Sequence, residues 1–239
     1  MNYIDAKNRI VKQIIGFMGD RNAIIGESGG IDSALVTFLC VEALGVDRVF
    51  AITMPYGKQS TADADLVAQT LALGVKNYKC INIKPMVDSF GFDDRMTVGN
   101  TKARVRMINL YAAAAENNGI VVGTSNKTEM MLGYFTKFGD GGCDIEPIGD
   151  LYKTDVWGMA KAYPAFPQSI ITKAPSAELW EGQTDEKEIG MTYAEMDAIL
   201  KVMEETKQYN LENPNFKRIF DMYIKTEHKR RMPPTFFVT

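Results

Sequence analysis

Histidine is nearly absent from this chain: His228 is the one example in 239 residues. That excludes a histidine acid–base pair and a Ser-His-Asp triad, and leaves little from which to build a zinc site. Cysteine is sparse too. Cys40, Cys80 and Cys143 lie far apart and form no Cys-x-x-Cys pair, so buried, inert thiols are expected, Cys40 above all because its neighbours are apolar. A basic excess is missing. The 27 Lys and Arg against 30 Asp and Glu give a net charge of −3, which provides no electrostatic footprint for a nucleic-acid partner. No apolar run is long enough to span a bilayer, and Met1-Asn2-Tyr3-Ile4-Asp5 opens with an early acid rather than a signal-like stretch. A cytoplasmic protein without a membrane partner is therefore expected. Any catalysis must draw on carboxylates, lysine, arginine, metal and backbone.

What is present is a single distinctive turn, Gly26-Glu27-Ser28-Gly29-Gly30-Ile31-Asp32-Ser33. The apolar run Ala23-Ile24-Ile25 before it suits a buried strand. Residues 34–44 after it are apolar almost all round and suit a buried helix. Strand, glycine-rich turn and helix make an anion cradle: glycines let backbone N–H groups approach phosphate oxygens, and the helix N-terminus adds its positive end. The turn lacks the Gly-Lys-Ser/Thr ending of a Walker loop and the spacing of a dinucleotide fingerprint. Instead it carries a carboxylate, Asp32, in the first helical turn. An acid beside phosphates implies an intervening cation, with Mg²⁺ the usual one; the plain alternative is that Ser28 or Asp32 caps a helix. Ser-Gly-Gly-x-Asp-Ser after a strand resembles the loop of the ATP pyrophosphatases, which split ATP to AMP and pyrophosphate.

The rest of the chain alternates. Residues 3–19 read as an amphipathic helix with Ile10, Ile14 and Phe17 on one face. Strands are expected at 48–53, 78–83 and 120–122, and helices at 61–73 and 100–116. That alternation predicts an α/β fold with a parallel sheet wrapped by helices, whose ligands lie at the carboxyl ends of the strands. In the 100–116 helix, Ile108, Tyr111, Ala112 and Ala115 are the expected buried stripe. Arg104 on that stripe either snorkels to an acid or points at a bound anion. Asn126 and Glu129 have the spacing of a capping box. The glycine-rich connection 133–144 holds Lys137, Asp140 and Asp144, and is either a flexible turn or a site loop. Lys153 sits in the first turn of a further helix, the electrostatically unfavourable end, which a phosphate partner would explain. From Pro164 the texture changes to an acidic stretch at 181–188, expected as a mobile flap or a solvated loop. Two terminal helices follow, starting at a Thr192/Glu195 capping box and at Phe216.

Taken together, residues 28–33, 100–107, 123–129, 133–144, 151–154, 173–179 and 182–185 resemble the ammonia-dependent NAD synthetase family over nearly the whole chain. The resemblance implies a Rossmann-like, adenine nucleotide alpha hydrolase-like fold with C-terminal helices. It also implies one domain over 1–239 with no glutaminase domain, and a homodimer joined through segments 100–118 and 192–225. The implied reaction adenylates the carboxylate of deamido-NAD with ATP, then lets ammonia displace AMP. Position by position, Gly26, Glu27, Ser28, Gly29, Gly30, Ile31, Asp32 and Ser33 would hold the ATP phosphates, with Thr124, Lys153 and Ser176 also on ATP. Asp32 and Glu129 would be the Mg²⁺ ligands. Arg104, Lys137, Asp144, His228 and Lys229 would bind deamido-NAD. Lys153 is also expected to be catalytic, and Asp140 is the carboxylate expected to take a proton from ammonium. Glu27 departs from the family, whose loop is usually apolar there; such an acid should weaken ATP binding unless it faces a partner. Two other readings compete: a different ATP pyrophosphatase, amidating another acid or thiolating tRNA, and a nucleotide sensor without turnover.

Overall fold

Apart from the edge strand at Tyr78–Cys80, the strands of the sheet are short and largely apolar because both faces are covered. The computed structural model describes residues 1–176, 182, 184–236 and 238. Helix α1 (Tyr3–Met18) is capped by Asn2 and leads through Gly19 into β1 (Asn22–Gly26). The phosphate-loop turn then enters α2 (Ile31–Leu44), followed by β2 (Val49–Thr53), α3 (Ala62–Thr70) and β3 (Tyr78–Cys80). Next come α4 (Lys84–Asp88), α5 (Arg95–Glu116), β4 (Gly119–Val122) and α6 (Lys127–Leu132). The C-terminal part is helical: α7 (Lys153–Ala160), α8 (Gln168–Thr172), α9 (Asp185–Ile189), α10 (Tyr193–Thr206) and α11 (Pro214–Lys225).

The four strands are parallel in the order β3-β2-β1-β4, with Ala23 opposite Val49 and Ile120 in the two registers of β1. Alternate residues of β1 face opposite layers. Ala23 and Ile25 pack with α1, α2 and α7, whereas Ile24 packs with Val121, Val105 and Ala114 beneath α5. A third core, built on Tyr193, Met196, Leu200 and Ile219, joins the terminal helices to Leu132 and Tyr152. Because the chain runs β1 to β3 outward and then returns to lay β4 on the other side of β1, the strand order reverses between β1 and β4. The crevice at the carboxyl ends of that pair is where open α/β sheets bind ligands.

Three expectations need correction. The α5 stripe of Ile108, Tyr111, Ala112 and Ala115 is not buried; Ile108 is 58% exposed. An alanine-rich helix offers several apolar faces, and the one chosen carries Val98, Val105, Leu110, Ala113 and Ala114 onto the sheet. Phe17 is likewise exposed while Ile14 of α1 is buried, because Ile14 and Met18, not Phe17, lie over α2 and the sheet. The strand expected at 78–83 stops at Cys80, since β3 is the sheet's edge with one neighbour to pair with. Both capping boxes form as read.

Candidate active site

The loops following β1 and β4 border a cleft of about 430 Å³. Gly26, Glu27, Ser28, Gly30, Ile31, Asp32 and Ser33 line it, together with Thr124, Glu129, Asp140, Lys153, Ser176 and Lys229. The loop's conformation depends on Gly29, whose φ of +80° an L side chain rarely adopts and whose added Cβ would lie 2.6 Å from Asp63 Cβ. Ser28 Oγ and Ser33 Oγ meet at 3.0 Å, and Ser28 Oγ accepts the Gly30 N–H at 3.1 Å. Hydroxyls and amides thus converge at the start of α2.

Glu27 presents no bare charge to this cradle. Only 1% exposed, its carboxylate turns beneath the loop and accepts the Gly29 N–H (2.9 Å), the Ser33 hydroxyl (2.8 Å) and the Thr37 hydroxyl (2.7 Å). Burial pushes it up to about 6, against the lowering effect of those three donors. The native carboxyl therefore keeps its proton to higher pH than the unfolded one. Its contribution to stability is full below about 4.5 and is lost as pH rises through about 6, a cost of ~2 kcal/mol for the ionised form. Glu27→Gln, which keeps an acceptor for Gly29 and Ser33, is expected to flatten this dependence. Thermal melts between pH 4.5 and 7.5 check it; the variant should gain on the wild type as pH rises, and parallel curves would assign the titration elsewhere.

Opposite the loop stands Lys153. Its position is held by neighbours: its N–H donates to Thr128 Oγ1 (3.0 Å) and the Thr154 N–H to Asp197 Oδ2 (2.9 Å), which cap α7 from α6 and α10. The side chain is 2% exposed and its ammonium pairs with Asp32. Burial alone would lower that ammonium, but Asp32, Glu129 and Asp185 outweigh it and hold it above the usual lysine value. Asp32 also accepts from Asn126 Nδ2 at 3.1 Å. Glu129 caps α6 by accepting the Asn126 N–H at 3.2 Å and still lines the cleft. Burial, then the charge of Asp32, push its carboxyl well above the ordinary range. Among the described residues no three His, Cys, Asp or Glu side chains close on one metal position. Two carboxylates already gathered about an internal cation fit Mg²⁺ arriving with phosphates, which characteristically takes one or two protein carboxylates and fills its shell from phosphate and water.

Asp140 borders the same cleft. It is open to the cleft yet surrounded by protein, and burial raises its carboxyl while Lys229 and Arg106 oppose that rise. One oxygen accepts the Thr136 N–H at 2.8 Å, closing the turn. The dinucleotide-binding candidates divide. Lys229 reaches the cleft, bonded to the carbonyls of Gly133 and Phe135 at 2.7 and 2.6 Å. Arg104, Lys137 and His228 form a chain outside it: Arg104 donates to the Lys137 carbonyl (3.4 Å) and Lys137 to that of His228 (2.6 Å). Asp144 is pinned to Tyr111 (3.0 Å) and the Val121 N–H (2.8 Å). Arg104, with no buried stripe to belong to, is exposed. Of the expected flap at 181–188, 181 and 183 lie outside the described residues, as do 177–180 before it, and Asp185 begins α9.

Three residues in or beside the cleft were given no role from the sequence. Asp185, buried, accepts the Tyr193 hydroxyl at 2.8 Å and bears on Lys153. Arg106 donates to the Met54 carbonyl at 3.1 Å. Glu146, pushed up to about 7 mainly by burial, accepts the Ser125 N–H at 3.0 Å just behind the β4 loop. Only tertiary contact joins them to the loop; the available signals were the matched stretches 100–107 and 182–185, which contain Arg106 and Asp185.

Comparison with known proteins agrees with this geometry. A sequence model described as NAD synthase matches residues 3–233. The NH(3)-dependent NAD(+) synthetase of Thermoplasma acidophilum is 46% identical over 237 residues, covering 97% of both chains. That of Archaeoglobus fulgidus is 44% identical, covering 98% of this chain and 97% of its own. Among solved structures, NMN synthetase from Francisella tularensis superposes with a TM-score of 0.86 at 34% identity over 98% of each chain. The NH3-dependent NAD synthetase from Campylobacter jejuni gives 0.82 at 31%, over 99% of this chain and 100% of its own. With a crevice at the strand ends where open α/β sheets bind ligands and full-length likeness in both sequence and structure, the chain belongs to the NAD synthase family.

Proposed function

We propose that the cleft amidates deamido-NAD to NAD with free ammonia, at the expense of ATP and through an NAD-adenylate that releases pyrophosphate and then AMP. The observation that carries this reading is the meeting of the anion loop, Asp32, Glu129 and Lys153 at one crevice, with Asp140 on the same wall. A carboxylate resists a nucleophile because its charge repels and oxide leaves poorly. Adenylation removes both obstacles but brings two polyanions together. The loop's N–H groups and Lys153 offset that repulsion and stabilise charge moving onto pyrophosphate. Mg²⁺ held by Asp32 and Glu129 with the phosphates would add Lewis-acid stabilisation. Thr124 and Ser176 bring hydroxyls to the nucleotide. Lys229 reaches deamido-NAD from inside the cleft, while Arg104, Lys137, Asp144 and His228 continue the site over its rim. A homodimer through 100–118 and 192–225 accounts for the exposed apolar face of α5 beside that rim. No described helix is long and apolar enough to cross a membrane, and substrates of this kind suit the cytoplasm.

The test is AMP formation by the purified chain, dependent on both deamido-NAD and an ammonium salt. Turnover with ammonium and none with glutamine is expected. Cys40 is buried with its thiol pushed up to about 12, and burial raises Cys143 as well, so neither has the depressed pKa of a glutaminase nucleophile. Efficient glutamine-driven synthesis would contradict the reading. Because one structural relative is an NMN synthetase, the deamidated mononucleotide is the second substrate to include; faster turnover of it would reassign the substrate.

A further inference from the structure

The cation that Asp32 holds in this structure is one of the chain's own. Lys153 Nζ pairs with Asp32, is acted on by the carboxylates of Glu129 and Asp185, and lies 5.3 Å from the centre of the Tyr193 ring and 5.8 Å from that of Trp157. Carboxylates and two aromatic rings together make a cation cage. The backbone under it is fixed by Thr128 and Asp197, so the ammonium moves only by turning its side-chain bonds. The move required is short: Asp32 belongs to the phosphate loop itself, in the first turn of α2. A phosphate seated in that loop competes directly for the same ammonium.

These relations have a consequence for metal binding. A divalent ion approaching Asp32 and Glu129 without nucleotide meets an ammonium already on one of its two ligands. Nor do the described residues bring a third His, Cys, Asp or Glu side chain to hold it there. The arrival of ATP changes both conditions at once, since its phosphates draw the ammonium away and offer oxygens to the metal. Masking also serves the nucleotide, because two bare carboxylates at the mouth of a phosphate loop would repel a polyanion.

We propose that Lys153 is the resident counter-cation of the metal-binding carboxylates, and that divalent metal enters this site only together with the nucleotide that takes Lys153 off Asp32. The proposal rests on the metal reading of Asp32 and Glu129 given above.

Mn²⁺ is the probe, its free fraction followed by electron paramagnetic resonance with the full chain. Wild type without nucleotide is expected to bind Mn²⁺ weakly. A non-hydrolysable ATP analogue should raise the affinity at least tenfold above that of the analogue alone in buffer. Lys153→Met and Lys153→Gln should each bind Mn²⁺ at least tenfold more tightly than wild type without nucleotide, and adding Glu129→Gln should remove that gain. The wild-type measurements stand even if both lysine variants fail to fold: tight Mn²⁺ binding by nucleotide-free wild type overturns the proposal. So does unchanged affinity in folded lysine variants; if the analogue complex still binds Mn²⁺ in a Glu129-dependent way, the metal reading survives and only the exchange is lost. A wild-type analogue complex that binds no better than free analogue removes the metal reading and the proposal together.

Discussion

Glu129→Gln is expected to lower deamido-NAD-dependent pyrophosphate release by roughly a thousandfold while leaving the fold intact, the size of loss seen when a preorganised charge is removed from a reacting phosphate or acyl site. The choice of glutamine decides between two roles. Glu129 is the third residue of a capping box, accepting the Asn126 N–H at 3.2 Å, and glutamine serves in that position as well as glutamate does. If Glu129 only caps α6, Glu129→Gln stays close to wild type, whereas Glu129→Ala loses ~1 kcal/mol of stability and some activity with it. If Glu129 holds metal, the Gln and Ala variants are equally inactive and differ only in melting temperature. Asp32 requires the same care. Its carboxylate neutralises buried Lys153, and removing one partner of a buried pair costs about 3–5 kcal/mol. Asp32→Ala therefore lowers both stability and rate, and its activity is read only below its own melting transition. Pyrophosphate release at saturating Mg²⁺, beside a thermal melt of each variant, separates the outcomes. Near-normal release from Glu129→Gln removes Glu129 from the metal site.

Which parts of this arrangement were legible in the chain follows from the range of the forces involved. The turn 26–33, β1 and α2 were readable because their signals are local: a glycine-rich turn with positive φ at Gly29, an apolar strand before and an apolar helix after. The same holds for both capping boxes, which rest on contacts three residues apart. Burial on α5 was not readable. With alanine at four consecutive positions, periodicity allows more than one face, and the decision falls to Val121 on the strand that follows and to Ile24 on β1, far away in sequence. Lys153 was noticed as an anomaly, a cation at the wrong helix end, but its partner Asp32 lies 121 residues away. Glu27 shows the reverse case. An acid in a phosphate loop reads as a liability until Ser33 and Thr37, on the first turns of the following helix, are seen to donate to it. The five residues assigned to deamido-NAD were carried by resemblance, and only Lys229 of them reaches the cleft. The others lie outside it, Arg104, Lys137 and His228 bonded in a chain and Asp144 held by Tyr111 and Val121.

Asp140→Asn is expected to divide the reaction in two. Ammonia is mostly ammonium at neutral pH, so the site must attract a cation and then remove a proton from it. The described cleft offers no histidine for this, and a carboxylate raised by the protein packed around it is a stronger base than one in open water. The competing role is visible in the structure, since Asp140 closes its turn by accepting the Thr136 N–H at 2.8 Å. Asparagine keeps that acceptor oxygen and so keeps the turn. If turn closure is the whole role, Asp140→Asn makes NAD at close to the wild-type rate. If the carboxylate receives the proton, adenylation survives, measured as deamido-NAD-dependent exchange of labelled pyrophosphate into ATP. Amide formation then falls by on the order of a hundredfold to ten-thousandfold, the usual range for loss of a general base. The sign of the pH dependence gives a second check. Raising the pH supplies free ammonia that needs no base, so the defect in Asp140→Asn should shrink as pH rises, while wild type gains less. A parallel fall in exchange and amidation would place Asp140 in substrate binding instead, because the adenylate could not then form.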